Sequence, residues 1–332
     1  MKEIMCDINY SNMRTMLKDC LIDVQKRTVS SCHLGVSSGF SSLDDLMGGF
    51  ESGKVYVIGG RPCIGKMEFM LSMMRTMTLQ NKVPVLLFST KHSKSDYIYR
   101  LLSIHCGIPT MRLHEGDLEA HEWERVDENV NALIDAPLFI HDSMDLPLNE
   151  LVENARNCIR EKGIRIIFID CLQMIDFTKE GDCPSEKVTK TMFALKQLAS
   201  LTDTPIVVGS MLNRGIEYRE GIEGKRPQLM DLAYSSYIEE MADFVMMVHR
   251  PEYYHIYQDD CGQDMHGKIE IIVRKNAHRP LGNIFLDYQA ETGMVCLPKG
   301  LGESANLKDS QMENEAVKSL IKSFELEEEL PF

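Results

Sequence analysis

The segment Gly60-Arg61-Pro62-Cys63-Ile64-Gly65-Lys66-Met67 carries the clearest chemistry in the sequence. Its two glycines let a loop curl tightly enough for backbone N–H groups to converge on one point. Lys66 adds a positive charge there. An apolar run, Val55–Ile58, precedes the loop, and a helical pattern over 65–80 follows it. Strand, glycine loop, lysine and helix N-terminus together make a phosphate-binding arrangement. The last position departs from that pattern. A Ser or Thr hydroxyl normally ligates Mg²⁺ there, whereas Met67 offers a soft thioether that a hard cation does not select. The expectation is a loop, Gly60 to Met67, that binds phosphate beside an incomplete metal site. The alternative is a glycine-rich turn with an incidental lysine.

Ile166-Ile-Phe-Ile-Asp170 fits the second part of such a site. It reads as an apolar strand that delivers a carboxylate at its end, where Asp170 organises a Mg²⁺ shell if a metal is bound.

The remaining elements must position these two. Strands are predicted at Val55–Gly60, Val83–Ser89, Pro137–His141, Ile164–Asp170, Pro205–Ser210, Ala242–His249, Gly267–Arg274 and Gly282–Tyr288. Helices are predicted at 65–80, 93–106, 119–134, 149–161 and 186–201. Short β-branched runs that alternate with helices call for an α/β fold with a mostly parallel sheet covered on both faces. Met70, Met73, Met74 and Met77 on the helix after the loop read as core filling. His249 and His255 read as structural or exposed. Ahead of all this, 11–27 reads as one amphipathic helix, with Met13, Leu17, Cys20, Leu21 and Val24 on one face. The expected organisation is an N-terminal segment over 1–34, a large domain over 35–298, and an acidic tail over 299–332.

Charge and cysteines narrow the class. The 332 residues carry 36 Lys+Arg and 50 Asp+Glu, a formal charge of −14. That balance excludes a protein that coats nucleic acid with its whole surface and leaves room for a local basic site. Arg214, Arg219, Lys225 and Arg226 form one such cluster, either a phosphate-binding, pore-facing loop or a solvated one. The 10 cysteines are scattered, with no Cys-x-x-Cys pair and no zinc-type spacing. With no signal-peptide pattern and no run long enough to span a membrane, the expectation is free thiols in the cytoplasm.

Further residues carry a family resemblance. Gly35-Val-Ser-Ser-Gly-Phe-Ser-Ser-Leu-Asp44, Gly49, Gly53, Arg61-Pro62, Gly65-Lys66, Phe88-Ser89, Ile169-Asp-Cys-Leu-Gln173, Leu212-Asn-Arg214, Lys225-Arg-Pro227, Asp231-Leu232, Ala242-Asp243 and Lys275 stand in the order and spacing of DnaB-type replicative helicases. The resemblance is to their C-terminal RecA-like motor domain and covers residues 9–297. It implies a RecA-like P-loop NTPase core that binds ATP or ADP, a hexamer-like ring, and work at the replication fork. It also implies that helix 11–27 is the linker that docks on the next subunit, in a chain lacking the family's N-terminal collar. Lys275 would reach the neighbouring subunit's phosphates.

The departures from that pattern are specific. The family's catalytic Glu, which activates the attacking water, corresponds to Lys91. Its γ-phosphate-sensing Gln corresponds to Met211, and its Arg finger to Ala277, with Arg274 and Arg279 flanking the vacancy. The DNA-holding loop after Asp231-Leu232 reads Ala233, Tyr234, Ser235, Ser236. A lost general base costs about 10²–10⁴ in rate, and an arginine finger is worth about 10³–10⁵. Either loss alone stops a useful motor. Lys91 can also put positive charge where Mg²⁺ would sit. The tail Glu327-Glu-Glu-Leu-Pro-Phe332 resembles the acidic tip of bacterial single-stranded-DNA-binding proteins, which implies docking to replication partners. The expected function is a nucleotide-binding homologue of the replicative helicase with weak or absent hydrolysis. It would act as a homo-oligomeric ring, or mix into the ring of an intact helicase, with weakened contact to single-stranded DNA. The alternatives are an active helicase with rearranged catalysis and a non-enzymatic adaptor.

Overall fold

The computed structural model describes residues 35–143, 146–175, 183–277 and 279–298, together with Met13, Met16, Leu17, Leu21 and Ile22. Those five positions are helical, and the other residues of the helix expected over 11–27 and the whole tail over 299–332 lie outside the described residues.

Nine strands form one sheet in the order β3-β2-β4-β5-β1-β6-β7-β8-β9. They are β1 Val55–Gly60, β2 Val85–Ser89, β3 Leu138–Asp142, β4 Ile166–Asp170, β5 Ile206–Met211, β6 Phe244–His249, β7 Lys268–Asn276, β8 Gly282–Gln289 and β9 Met294–Cys296. The helices are α1 Ser41–Met47, α2 Lys66–Arg75, α3 Lys94–Cys106, α4 Thr110–Glu115, α5 Ala120–Ile134, α6 Leu148–Lys162, α7 Pro184–Thr202, α8 Ile222–Lys225 and α9 Ser235–Met241. The expected α/β class is present.

From β3 across the sheet to β6, each neighbouring pair is parallel. The remaining pairs, β6 with β7, β7 with β8 and β8 with β9, are antiparallel. The antiparallel flank was not foreseen as such, because continuous apolar runs signal burial and do not encode strand direction. Short elements were also missed: α1, α4, α9 and β9 are each too brief to show a period.

Burial on both faces explains the apolar runs. Along β1, Tyr56 and Ile58 join the core that contains Phe69, Met70, Met73, Met74 and Met77, while Val55 and Val57 join the opposite core with Leu195 and Leu198 of α7. The four helix methionines are at most 1% exposed, as core filling requires. The helix after the loop is α-helical to Arg75 and closes with a wider turn over Thr76–Gln80.

Three signature carboxylates turn out to hold the fold. Asp44 Oδ1 accepts the Ser38 N–H at 2.8 Å and its Oδ2 accepts the Ser37 hydroxyl at 2.6 Å. Asp243 accepts the Val55 N–H at 2.8 Å and pairs with Lys196, anchoring the start of β1. Asp231 accepts from Arg219 at 2.5 Å and from the Gln228 N–H at 2.7 Å. Among the described residues no helix is long and apolar enough to cross a membrane, and no group of three or more His, Cys, Asp or Glu is placed to hold a metal ion. Cys63, Cys106, Cys158, Cys171, Cys183 and Cys261 are free thiols.

Candidate nucleotide site

The parallel half of the sheet brings the C-terminal ends of β1, β2, β4 and β5 to one edge. From that edge the chain leaves β1 at Gly60, makes the loop and enters α2 at Lys66. Gly65 has φ 110°, a conformation that glycine tolerates and a side chain resists. A Cβ there would also lie 3.0 Å from Ile269 Cδ1. Cys63 is left-handed too, at φ 61°. The first backbone bond of the helix runs from Phe69 N–H to Gly65 O at 2.9 Å. The N–H groups of Lys66, Met67 and Glu68 therefore have no intrahelical acceptor and point out of the helix start, where they suit an anion.

The side chains of the loop divide sharply. Ile64 is 1% exposed and packs in the core, so it offers a phosphate only its backbone. Pro62 has no N–H to give. Arg61 is directed away: its Nε and NH2 bind Glu217 at 2.8 and 2.5 Å, and its NH1 binds the Leu212 carbonyl at 2.7 Å. Arg61 thus ties the loop to the turn Arg214–Tyr218 instead of presenting its charge to phosphate. Met67 packs its thioether against the core on the α2 face. Lys66 is the one loop cation on the site side, its Nζ 3.1 Å from the Ser210 carbonyl on β5.

Asp170 stands at the end of β4, 5% exposed. A Cβ at Gly209 would meet both Asp170 Oδ1, at 3.1 Å, and Lys66 Cε, at 3.6 Å, so the fold does bring Lys66 and Asp170 together. Asp170 Oδ2 accepts a hydrogen bond from the Tyr97 hydroxyl at 3.0 Å. Burial first, and the Asp170 charge second, push the Tyr97 hydroxyl above its ordinary range, so it stays a donor. Burial likewise pushes the neighbouring Cys171 thiol up to about 11. Gln173 joins the next strand end: its Nε2 donates to Ser210 Oγ at 2.8 Å and its Oε1 accepts the Met211 N–H at 3.0 Å.

Lys91 follows β2 directly. The β2–β4 register sets Ser89 opposite Asp170. Thr90 then clamps the turn, its N–H and hydroxyl donating to the Asp170 carbonyl at 2.9 and 3.2 Å. The exposed Lys91 emerges from that clamp beside Asp170.

The expected subunit-boundary residues lie elsewhere. Lys275 on β7 donates to the carbonyls of Glu239 and Glu240, at 2.6 and 3.2 Å, at the end of α9. Ala277 is exposed just past β7. Arg274 Nε is bound to the Pro227 carbonyl at 2.8 Å. The Arg279 guanidinium lies against Gly48, where a Cβ would sit 2.5 Å from NH2. Arg274 is thus held within the chain, whereas Arg279 lies exposed beside Gly48. Of the basic cluster, Arg219 pairs with Asp231, Arg226 pairs with Glu270 and Glu223, and Lys225 donates to the Glu217 carbonyl at 2.7 Å. Arg214 is exposed.

The loop suits a phosphate. The donor set does not suit a divalent cation: Asp170 supplies one carboxylate, already bonded to Tyr97, and position 67 supplies no oxygen. Sequence reasoning missed Tyr97, and also Arg250, whose guanidinium lies 4.9 Å from the Tyr288 ring centre beside Gly65. Neither belongs to a local motif, since each meets the site only through folding.

The DnaB-like helicase C-terminal domain family matches residues 35–295. The chain belongs to this family. It is 30% identical over 255 residues to the replicative DNA helicase DnaB of Leifsonia xyli subsp. xyli, covering 77% of this chain and 54% of that protein. It is 31% identical over 278 residues to the probable replicative DNA helicase of Trieres chinensis, covering 83% of this chain and 60% of that protein. The chain thus spans little more than half the length of these relatives. A solved ATPase domain superposes with a TM-score of 0.78 at 25% identity, covering 87% of this chain and 99% of that one. A DnaB-like replicative helicase, solved in a study of its interactions with primase, superposes with a TM-score of 0.76 at 25% identity, covering 87% and 67%. The RecA-like core implied by the resemblance is therefore the fold of this DnaB-family domain.

Proposed function

We propose that this DnaB-family domain is a nucleotide-holding subunit of a replicative-helicase ring whose own ATP hydrolysis is far below that of a working motor. Lys91 carries the reading. It stands beside Asp170, at the strand end where the family aims its water-activating carboxylate, and an ammonium cannot take a proton from water. The phosphate-loop backbone and Lys66 supply binding, and the Arg250–Tyr288 stack offers a flat surface beside it for a base. Met211 and Ala277 remove two further contributions to turnover, which do not add independently. The subunit would form a hexamer-like ring with itself or mix into the ring of a complete DnaB helicase. Its contact with single-stranded DNA would be weak, since Arg219 and Arg226 are already paired with carboxylates.

The test is the ATPase rate and assembly size of the purified chain, alone and mixed with a complete DnaB helicase from the same cell. Background turnover alone, with formation of mixed rings that change the partner's rate, is the expected result. A normal rate for the chain alone, abolished in Lys66→Ala, overturns the proposal in favour of an active helicase. Absence of any assembly favours a scaffold.

A further inference from the structure

The family implies a divalent cation between the phosphates and the second-strand carboxylate, and the residues at this site disagree with it. We propose that the Gly60–Met67 site takes a nucleoside triphosphate free of divalent metal, with the Lys66 and Lys91 ammonium groups as its counter-ions. The inference rests on the nucleotide reading above and adds the chemical form of the ligand.

Three observations converge. Position 67, which should give a hydroxyl to the metal, gives a half-buried methionine packed against the core, so no side-chain oxygen is available there. Asp170, which should orient the metal's water shell, is 5% exposed and accepts the Tyr97 hydroxyl at 3.0 Å. Tyr97 is itself 1% exposed, so this bond is shielded from water. Lys91 is exposed and directly follows Thr90, whose N–H donates to the Asp170 carbonyl at 2.9 Å. Lys66 lies beside Asp170 at Gly209.

Charge counting agrees with this placement. A carboxylate at position 91 with a magnesium ion would set Lys66, metal, Asp170 and that carboxylate at a sum of +1. Lys66, Lys91 and Asp170 without a metal also sum to +1. Exchanging a carboxylate for an ammonium changes the local charge by the two units that the metal would have brought. Adding the metal as well would set it beside Lys91, and like charges at close range repel. A compact ammonium also suits a phosphate as a point charge.

The experiment titrates a fluorescent, non-hydrolysable ATP analogue into the full chain, once with excess Mg²⁺ and once with excess EDTA. The expected result is an EDTA dissociation constant equal to or tighter than that in Mg²⁺, within about threefold if weaker. In Lys91→Glu combined with Met67→Thr, the order reverses and EDTA weakens binding by about tenfold or more. Wild-type binding that weakens about tenfold or more on chelation overturns this inference and leaves the nucleotide reading standing. Binding in neither buffer overturns the nucleotide reading, and this inference with it.

Discussion

On one side of the site, Gly60, Gly65 and the start of α2 offer backbone N–H groups and one ammonium. On the other side, Lys91 stands just past β2 and Met211 at the end of β5, while Ala277, past the antiparallel β7, lies at the opposite edge of the sheet near the starts of β1 and β6. The first side keeps its geometry because it is built from backbone: any sequence that preserves the glycines and the strand–helix junction preserves the donors. The second side depends on single functional groups, so one substitution removes one function and leaves the fold untouched. On the proposed function, gripping a nucleotide and hydrolysing it are therefore separable in this architecture.

Rebuilding the second side would erase this division most completely. Lys91→Glu with Met67→Thr and Ala277→Arg should raise ATP turnover by about 10²-fold or more, toward the value of a general base alone. A coupled phosphate-release assay checks it, and no gain would mean that the deficit lies elsewhere.

The gripping side has an acid-sensitive support. His249 closes β6, which pairs with β1. Burial, and then the charges of Arg226 and Arg274, lower its pKa to about 4. The unfolded chain binds this proton near pH 6.5 and the folded chain does not. Stability is therefore full above pH 6.5 and falls as pH drops from there toward 4, by up to about 3 kcal/mol. Urea unfolding between pH 7 and 4.5 should show that slope, and His249→Gln should flatten it.

Lys66→Ala should weaken nucleotide binding by about 10- to 100-fold, the worth of a charge-assisted hydrogen bond. Anisotropy of a labelled ADP reads it. An unchanged affinity would place the ligand away from the loop.

The weakest consequence falls at the boundary between the two sides. Tyr97→Phe removes the donor to Asp170 and should cost about 1 kcal/mol of stability. It should also loosen Asp170 toward a cation. Thermal unfolding with and without Mg²⁺ checks both, with a magnesium-dependent rise expected only in the variant.

The loop, the order of the longer strands and helices, and the family were legible in the run of residues. These depend on local spacing: glycines at a turn, apolar period, and a carboxylate at a strand end. The residues at positions 91, 211 and 277 are read directly from the sequence, and their catalytic counterparts come from the family resemblance. Other roles emerged only on folding. Arg61 reads as a phosphate contact until Glu217, far along the chain, captures it. Met67 reads as a failed metal ligand, and the fold shows it half-buried against the core. Arg274 reads as a substitute for the missing finger, but the Pro227 carbonyl holds it. Tyr97 carried no signal at all, since its hydroxyl meets Asp170 only when α3 packs beside β4. The physical reason is common to all of these residues. A side chain's role is set by the partner that reaches it first, and the partners that decide these roles are brought close by the sheet, not by the chain.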